Sequence, residues 1–353
     1  VTSDQGGKAR LSFGLMISSD EPPGRDRRQV AEEHLERAVV AQRSGIGIIA
    51  AGHRYSFLPA GADAKVPATT WRLQPLPLLT HVAGTLGNSV NYCTAILLST
   101  SCHPVQLLED AATVNALCGG RFRLGLGLGW IPDEFAAFGV DYDTRVERFE
   151  ELIRAYRQLG QAGTSSFQGR HFSWRSAEIL ARGADHDLPA LWIGGSVGAA
   201  VRRAARMGDA WVMSSHIDIE TLRRQKSMYD ATRQEAGLSA PRDVPLVRTL
   251  ILNEDRAQAW TVARPELQSW YKQRQGMGWA PSGDSQGDIE GLAAGRWIVG
   301  DPDDAVAEIQ RLREVVGVTE IIFTANWPGL DHKQRLKMLD LLRTDVFPRV
   351  TQQ

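Results

Sequence analysis

The sequence predicts an α/β protein built as one (β/α)8 barrel of the TIM type, and three observations carry that prediction. Eight short apolar runs of strand length alternate with stretches of helical periodicity along nearly the whole chain. The 353 residues accommodate one large barrel as readily as two or three average domains. No short-period repeat and no low-complexity tract interrupts the alternation.

The first unit pairs the apolar run "LSFGLMIS" (11–18) with a helix from Val30 to Arg43, whose Val30, Leu35, Ala38 and Val39 share one face. "GIGIIAAG" (45–52) reads as the second strand, and a helix over 76–86 follows the breakers Pro75 and Pro77. The third strand is about 90–99, followed by a helix from Pro104 to Leu117 with proline at its start. "FRLGLGLG" (122–129) is the fourth strand, and Pro132-Asp133 after it reads as loop. Thr144 and Glu147 have capping-box spacing at the head of the fourth helix, whose apolar face is Val146, Phe149, Ile153 and Tyr156. Residues 160–189 loosen into an insertion after strand four. Strands at 190–195, 210–215, 244–252 and 320–325 complete the set, with helices at about 198–207, 219–236, 255–274, 302–316 and 333–347. A glycine-rich stretch over 276–297, between strands seven and eight, reads either as a mobile lid or as an ordinary surface excursion. The whole of 1–353 is expected to be a single domain.

Composition narrows the function classes. Lys+Arg total 40 against Asp+Glu 41, a formal net charge of -1, so no global field draws in nucleic acid or an anionic membrane. No apolar run reaches the roughly eighteen residues of a spanning helix. Cys93, Cys102 and Cys118 are an odd number without C-x-x-C spacing, which fits buried free thiols in a reducing cytoplasm. The eight histidines form neither H-x-H nor H-E-x-x-H, and no G-x-S-x-G occurs, so metal ligation and the nucleophile-elbow hydrolases lack their residues.

The run "CGGRFRLGLGLGW" (118–130) resembles a nucleotide fingerprint at first sight. G-x-G-x-x-G fails, because the sixth position counted from Gly125 is Trp130. A strand of period two instead puts Leu124, Leu126 and Leu128 on one face and Gly125, Gly127 and Gly129 on the other. Inward glycines leave room for another barrel side chain or for a flat ligand close to the backbone. A second candidate is "LWIGGSVGAAVRRAARMGDAW" (191–211), where a strand ends at Gly194-Gly195 and Ser196 stands at the N-cap of an alanine-rich helix. Free amides there serve either ordinary capping or a bound phosphate. His53 lies just past strand two, at the barrel end where such enzymes keep their chemistry; it is either polar surface or a proton-handling group. Arg145, in the first turn of the fourth helix, is either a solvated charge or a phosphate partner.

Three segments together, "CHPVQLLEDAATVNALCGGRF", "GGRFRLGLGLGWIPDEFAAFGVDYDTRVERFEELI" and "PALWIGGSVGAAVRRAARMGDAWV", resemble the bacterial luciferase-like superfamily, and the likeness extends over nearly the whole chain. The resemblance implies a barrel that uses reduced FMN with oxygen, or the deazaflavin F420 for hydride transfer. It matches His53 to the family's catalytic histidine. It matches Ala95 and Ile96 to the segment backing the flavin ring, often through a non-proline cis peptide, with Gly127 of strand four nearby. Gly195, Ser196, Val197 and Ala200 fall where the family holds the cofactor phosphate, and Arg145 resembles its phosphate-pairing arginine. One departure is Leu128, which stands where bacterial luciferase has a phosphate-binding arginine and argues against aldehyde bioluminescence.

The expectation is therefore a flavin-dependent monooxygenase of the cytoplasm, acting with O2 on a small organic substrate. A separate flavin reductase is implied because no nicotinamide fingerprint is present, and homodimerisation through the second and third helices is implied by the family. The alternative is an F420-dependent oxidoreductase without oxygen chemistry. Tyr55, Phe57, Trp279 and Trp297 are the candidate substrate contacts, although the two tryptophans equally suit anchoring of the 276–297 stretch.

Overall fold

The computed structural model describes residues 11–55, 70–161, 163–179, 188–276, 288–327 and 329–351. The chain opens with β1 (Ser12–Met16), α1 (Arg27–Arg43), β2 (Ile48–Ala51) and α2 (Pro75–Leu86). The expected third strand divides into β3 (Asn91–Thr94) and β4 (Leu97–Leu98) around a cis peptide bond between Ala95 and Ile96. Next come α3 (Pro104–Leu117), β5 (Phe122–Gly127), α4 (Pro132–Ala137) and α5 (Arg145–Leu159). The insertion holds an antiparallel hairpin, β6 (Ser165–Gln168) and β7 (Ser173–Ala177). The barrel resumes with β8 (Ala190–Gly194), α6 (Gly198–Met207), β9 (Ala210–Val212), α7 (Ile219–Glu235) and β10 (Pro245–Leu252). Then follow α8 (Arg256–Gly276), α9 (Ile289–Ala293), β11 (Trp297–Gly300), α10 (Pro302–Val316) and β12 (Glu320–Thr324). The chain ends in α11 (His332–Leu341), a π-helical turn and α12 (Phe347–Thr351).

The strands are parallel in the order β10-β12-β1-β2-β3-β5-β8-β9. Met213, one residue past β9, closes the ring on β10: its N–H donates to the Pro245 carbonyl at 2.9 Å and its carbonyl accepts from Val247 N–H at 3.0 Å. All eight barrel strands coincide with the eight apolar runs. A ninth strand, β11, pairs with the upper half of β10 and was not expected, since its short apolar run "WIVG" continues directly from the glycine-rich stretch.

Alternation along each strand divides the core into two layers. Met16, Ile48, Ala50, Cys93, Trp192, Val212 and Ile322 fill the barrel interior, with Ala95 and Ile96 packed against them. Leu124, Leu126, Leu191 and Ile193 belong to the larger layer under the helices. Each such fully buried aliphatic side chain contributes about 1.5–3 kcal/mol relative to exposure.

Three local expectations are corrected. Pro132-Asp133 begins α4 rather than a loop, because proline fits the first helical position and Asp133 and Glu134 favour the positive helix start. Thr144 and Glu147 form no capping box. A 3-10 turn (Tyr142–Thr144) leads into α5, the Thr144 hydroxyl donates to the Asp141 carbonyl at 2.8 Å, and Glu147 pairs with Arg170 at 3.0 Å. At α6 the N-cap is Val197, not Ser196, so no side chain caps this helix. The hairpin is held from below by the Glu151 carboxylate. It accepts backbone N–H groups of Arg170, His171 and Phe172 at 3.0, 2.8 and 2.8 Å, and these bonds keep it ionised against its burial.

Candidate active site

The C-terminal ends of β2, β3 and β5 bring the first group of expected residues together. His53 follows β2, and its N–H donates to the Ile96 carbonyl at 3.1 Å. Its Nδ1 accepts the Leu98 N–H at 3.1 Å, which in the neutral ring leaves the proton on Nε2. Nε2 is buried and has no hydrogen-bond partner among the described residues. Burial holds the His53 pKa down at about 4; the Gln74 side chain opposes the drop, and the positive charge of Arg72 adds to it. The ring is thus a neutral donor at physiological pH.

The charge beside it is fixed by Asp20, which pairs with Arg54 at 3.1 Å and with Arg72 at 3.1 Å. Arg72 Nη1 lies 3.0 Å from where a Gly52 side chain would begin, so the arginine packs closely over this glycine. Tyr55 meets the His53 ring edge-on at 4.4 Å, tilts against Phe138 at 4.7 Å, and bonds through its hydroxyl to Ser101. Phe138 is 43% exposed, so an aromatic surface beside His53 faces solvent.

The glycine face of β5 points inward, and its space is filled. A Cβ on Gly125 would lie 1.9 Å from the Thr94 carbonyl oxygen, and one on Gly127 would lie 1.7 Å from Ile96 Cδ1. Gly194 meets the same isoleucine at 3.0 Å. Gly127 therefore makes room for Ile96. Two steps further on, Gly195 is bare because Ala200 of α6 packs 2.5 Å from its missing Cβ, and its carbonyl accepts the Trp211 indole N–H at 2.8 Å. The first amides of α6 point past Val197, 63% exposed, with no side-chain acceptor at the cap. The Ser196 carbonyl accepts from Gln225 at 2.8 Å. Arg145 stacks on the Tyr142 ring at 3.8 Å and donates to the Tyr142 carbonyl at 2.8 Å.

Trp297 opens β11 as a core residue, 5% exposed, its ring 5.3 Å from Trp270 and 5.2 Å from Tyr271. Phe57 and Trp279, with the rest of 277–287, lie outside the described residues. Sequence reasoning missed Thr94, Arg72, Gln74 and Phe138. Phe138 lies within a segment that carries the resemblance but is there only one apolar residue of "EFAAFG"; the others stand in no motif and acquire meaning only through contacts across the barrel end. Among the described residues no cluster of His, Cys, Asp and Glu could hold a metal ion, and no helix is long and apolar enough to cross a membrane.

A family model described as luciferase-like monooxygenase matches residues 11–320. The chain belongs to that family. Among its luciferase-like relatives, the F420-dependent glucose-6-phosphate dehydrogenase of Amycolatopsis mediterranei (strain U-32) is 27% identical over 339 residues, covering 90% of this chain and 93% of that protein. Monooxygenase RslO1 from Streptomyces bottropensis shares the fold with a TM-score of 0.79 at 22% identity, over 96% of this chain and 99% of that one. So does the oxygenating constituent of 3,6-diketocamphane monooxygenase from Pseudomonas putida in complex with FMN, at TM-score 0.73 and 18% identity, over 97% and 99%. The luciferase-like chain is accordingly an oxidoreductase of a family whose relatives include both flavin- and F420-dependent enzymes.

Proposed function

We propose that this luciferase-like enzyme is a monooxygenase that uses reduced FMN and O2 to oxygenate a small organic substrate. The observation that carries this reading is the buried Nε2–H of a neutral His53 at the barrel mouth, unpartnered among the described residues. When bound, reduced FMN supplies the electrons that activate oxygen. The residues present fit such a group. Ala95 and Ile96 would back its ring, with Ile96 seated on Gly127; the uncapped amides after Gly195, Ser196 and Val197, up to Ala200, would receive its phosphate, and Arg145, stacked on Tyr142, would be the cation paired with it. His53 donates a hydrogen bond to an oxygen that gains negative charge, since Nδ1 is committed and Nε2 already holds the proton. Tyr55 and Phe138 offer an aromatic surface to an apolar substrate. A separate flavin reductase provides the reduced cofactor in the cytoplasm, and the enzyme works as a homodimer.

The second reading is an F420-dependent oxidoreductase, favoured by the relative that matches 90% of the chain and by Leu128 in an arginine's place. Alcohol oxidation on that cofactor needs a base to take the substrate proton, which a histidine already protonated at Nε2 does not provide. Titration of the purified chain with FMN and with F420, followed by fluorescence, separates the two. Reduced FMN is expected to bind, and mixing that complex with O2 and a ring-containing ketone or arene is expected to give an oxygenated product. Binding of F420 alone, or oxidation of bound reduced FMN at the rate of the free flavin with peroxide as the sole product, overturns the monooxygenase reading.

A further inference from the structure

Three residues of the third barrel strand, Thr94, Ala95 and Ile96, lie between its last lower pair with β5, Cys93↔Arg123, and its first upper pair, Leu97↔Leu126, where β5 has only Leu124 and Gly125. The segment is therefore a bulge with one extra residue, and Ala95 and Ile96 both pack toward the barrel interior, as two consecutive residues of a regular strand cannot. A bulge of this kind leaves backbone groups of the partner strand without their ladder bonds. Here the side chain of Thr94 takes them. Its hydroxyl donates to the Gly125 carbonyl at 2.8 Å and accepts the Gly125 N–H at 2.8 Å, while its own carbonyl presses on the bare Cα of Gly125. Thr94 is fully buried.

The opposite edge of the same bulge holds His53. The Ile96 carbonyl accepts the His53 N–H, and the Leu98 N–H donates to His53 Nδ1, both at 3.1 Å. The segment is thus fastened to β5 by one hydroxyl and to His53 by the Ile96 carbonyl, and the strand that continues from it adds the Leu98 amide.

We propose that Thr94 is a positioning residue: by clamping the bulge to Gly125 it sets the place of the Leu98 amide, and through that amide the Nε2–H tautomer of His53. The catalytic use of that tautomer rests on the monooxygenase reading above; the tautomer itself does not. In Thr94→Val the two Gly125 groups lose their partner at nearly constant volume, the bulge shifts, and the Leu98 amide no longer holds Nδ1. Thr94→Ser retains the hydroxyl.

The test is a two-bond ¹H–¹⁵N imidazole correlation spectrum of the full chain labelled at histidine, with the His53 signals assigned by their loss in His53→Gln. Wild type and Thr94→Ser are expected to show a pure Nε2–H pattern, and Thr94→Val an exchange-averaged one, with FMN dissociation constants at least tenfold higher for Val and restored by Ser. A folded Thr94→Val with an unchanged pure Nε2–H pattern overturns the proposal, as does Thr94→Ser behaving like Thr94→Val. Should Val fail to fold, Thr94→Cys, with a weak donor of similar size, is read by the same pattern. Failure of wild type to bind FMN would sink the monooxygenase reading and leave the tautomer result standing.

Discussion

The depressed pKa of His53 makes a quantitative prediction about stability. Its ring titrates near 4 in the folded chain, against an ordinary value of 6.5, because burial disfavours the imidazolium. Above pH 6.5 the ring is neutral in both states and folding incurs no protonation cost. Between about 6.5 and 4 the unfolded chain takes up a proton that the folded one refuses, so stability falls as pH falls. Below about 4 both states are charged and the loss is complete. At 1.36 kcal/mol per pH unit the interval corresponds to about 3 kcal/mol, of which about 2 kcal/mol is lost by pH 5. Other groups titrate too, so the measurement is a difference: urea unfolding of wild type and of His53→Gln at pH 5, 6, 7 and 8. Wild-type stability relative to the variant is expected to decline by about 2 kcal/mol from pH 7 to pH 5 and to be level from 7 to 8. A flat difference across that range, or an NMR midpoint for His53 between 6 and 7, would refute the account of a buried neutral donor.

Glu320 predicts the opposite slope. Burial, aided by the neighbouring Asp243 and opposed by Thr319 and the Val244 amide, pushes its carboxyl up to about 7, so its contribution is lost as pH rises from 4.5 through 7; Glu320→Gln should gain up to about 3 kcal/mol on wild type between pH 5 and 8, read by the same urea series. Gly127→Ala should lower stability by about 1–3 kcal/mol through its clash with Ile96, and Ile96→Ala in the same chain should recover at least about 1 kcal/mol in a double-mutant cycle; strict additivity would count against the packing described. Glu151→Ala strips three backbone N–H groups of their acceptor, and rapid hydrogen exchange confined to 165–177 is expected, with unchanged protection there as the contrary result.

The glycine run illustrates how far sequence reasoning reached. Period two correctly put Gly125 and Gly127 on the inner face, because alternation is a local property of a strand. What occupies the space in front of them was beyond it, since Thr94 and Ile96 arrive from a neighbouring strand some thirty residues away. The same division holds for His53. Its position after β2 was legible from the strand boundary, whereas its tautomer depends on the Leu98 amide, which comes from a neighbouring strand and which no local pattern announces. The N-cap at Val197 was misplaced by one residue because Ser196 has the better capping chemistry, and the turn geometry overrode that preference.

The sequence by itself determined the barrel and the family. Eight apolar runs spaced by amphipathic helices allow few other ways to bury both faces of a parallel sheet, and three quoted segments carry the resemblance to the family. Only the tertiary structure decided what the site can do. Proton placement on His53, the filling of the glycine face and the Asp20-held arginines beside the ring are set by contacts between strands distant in sequence, which periodicity does not encode.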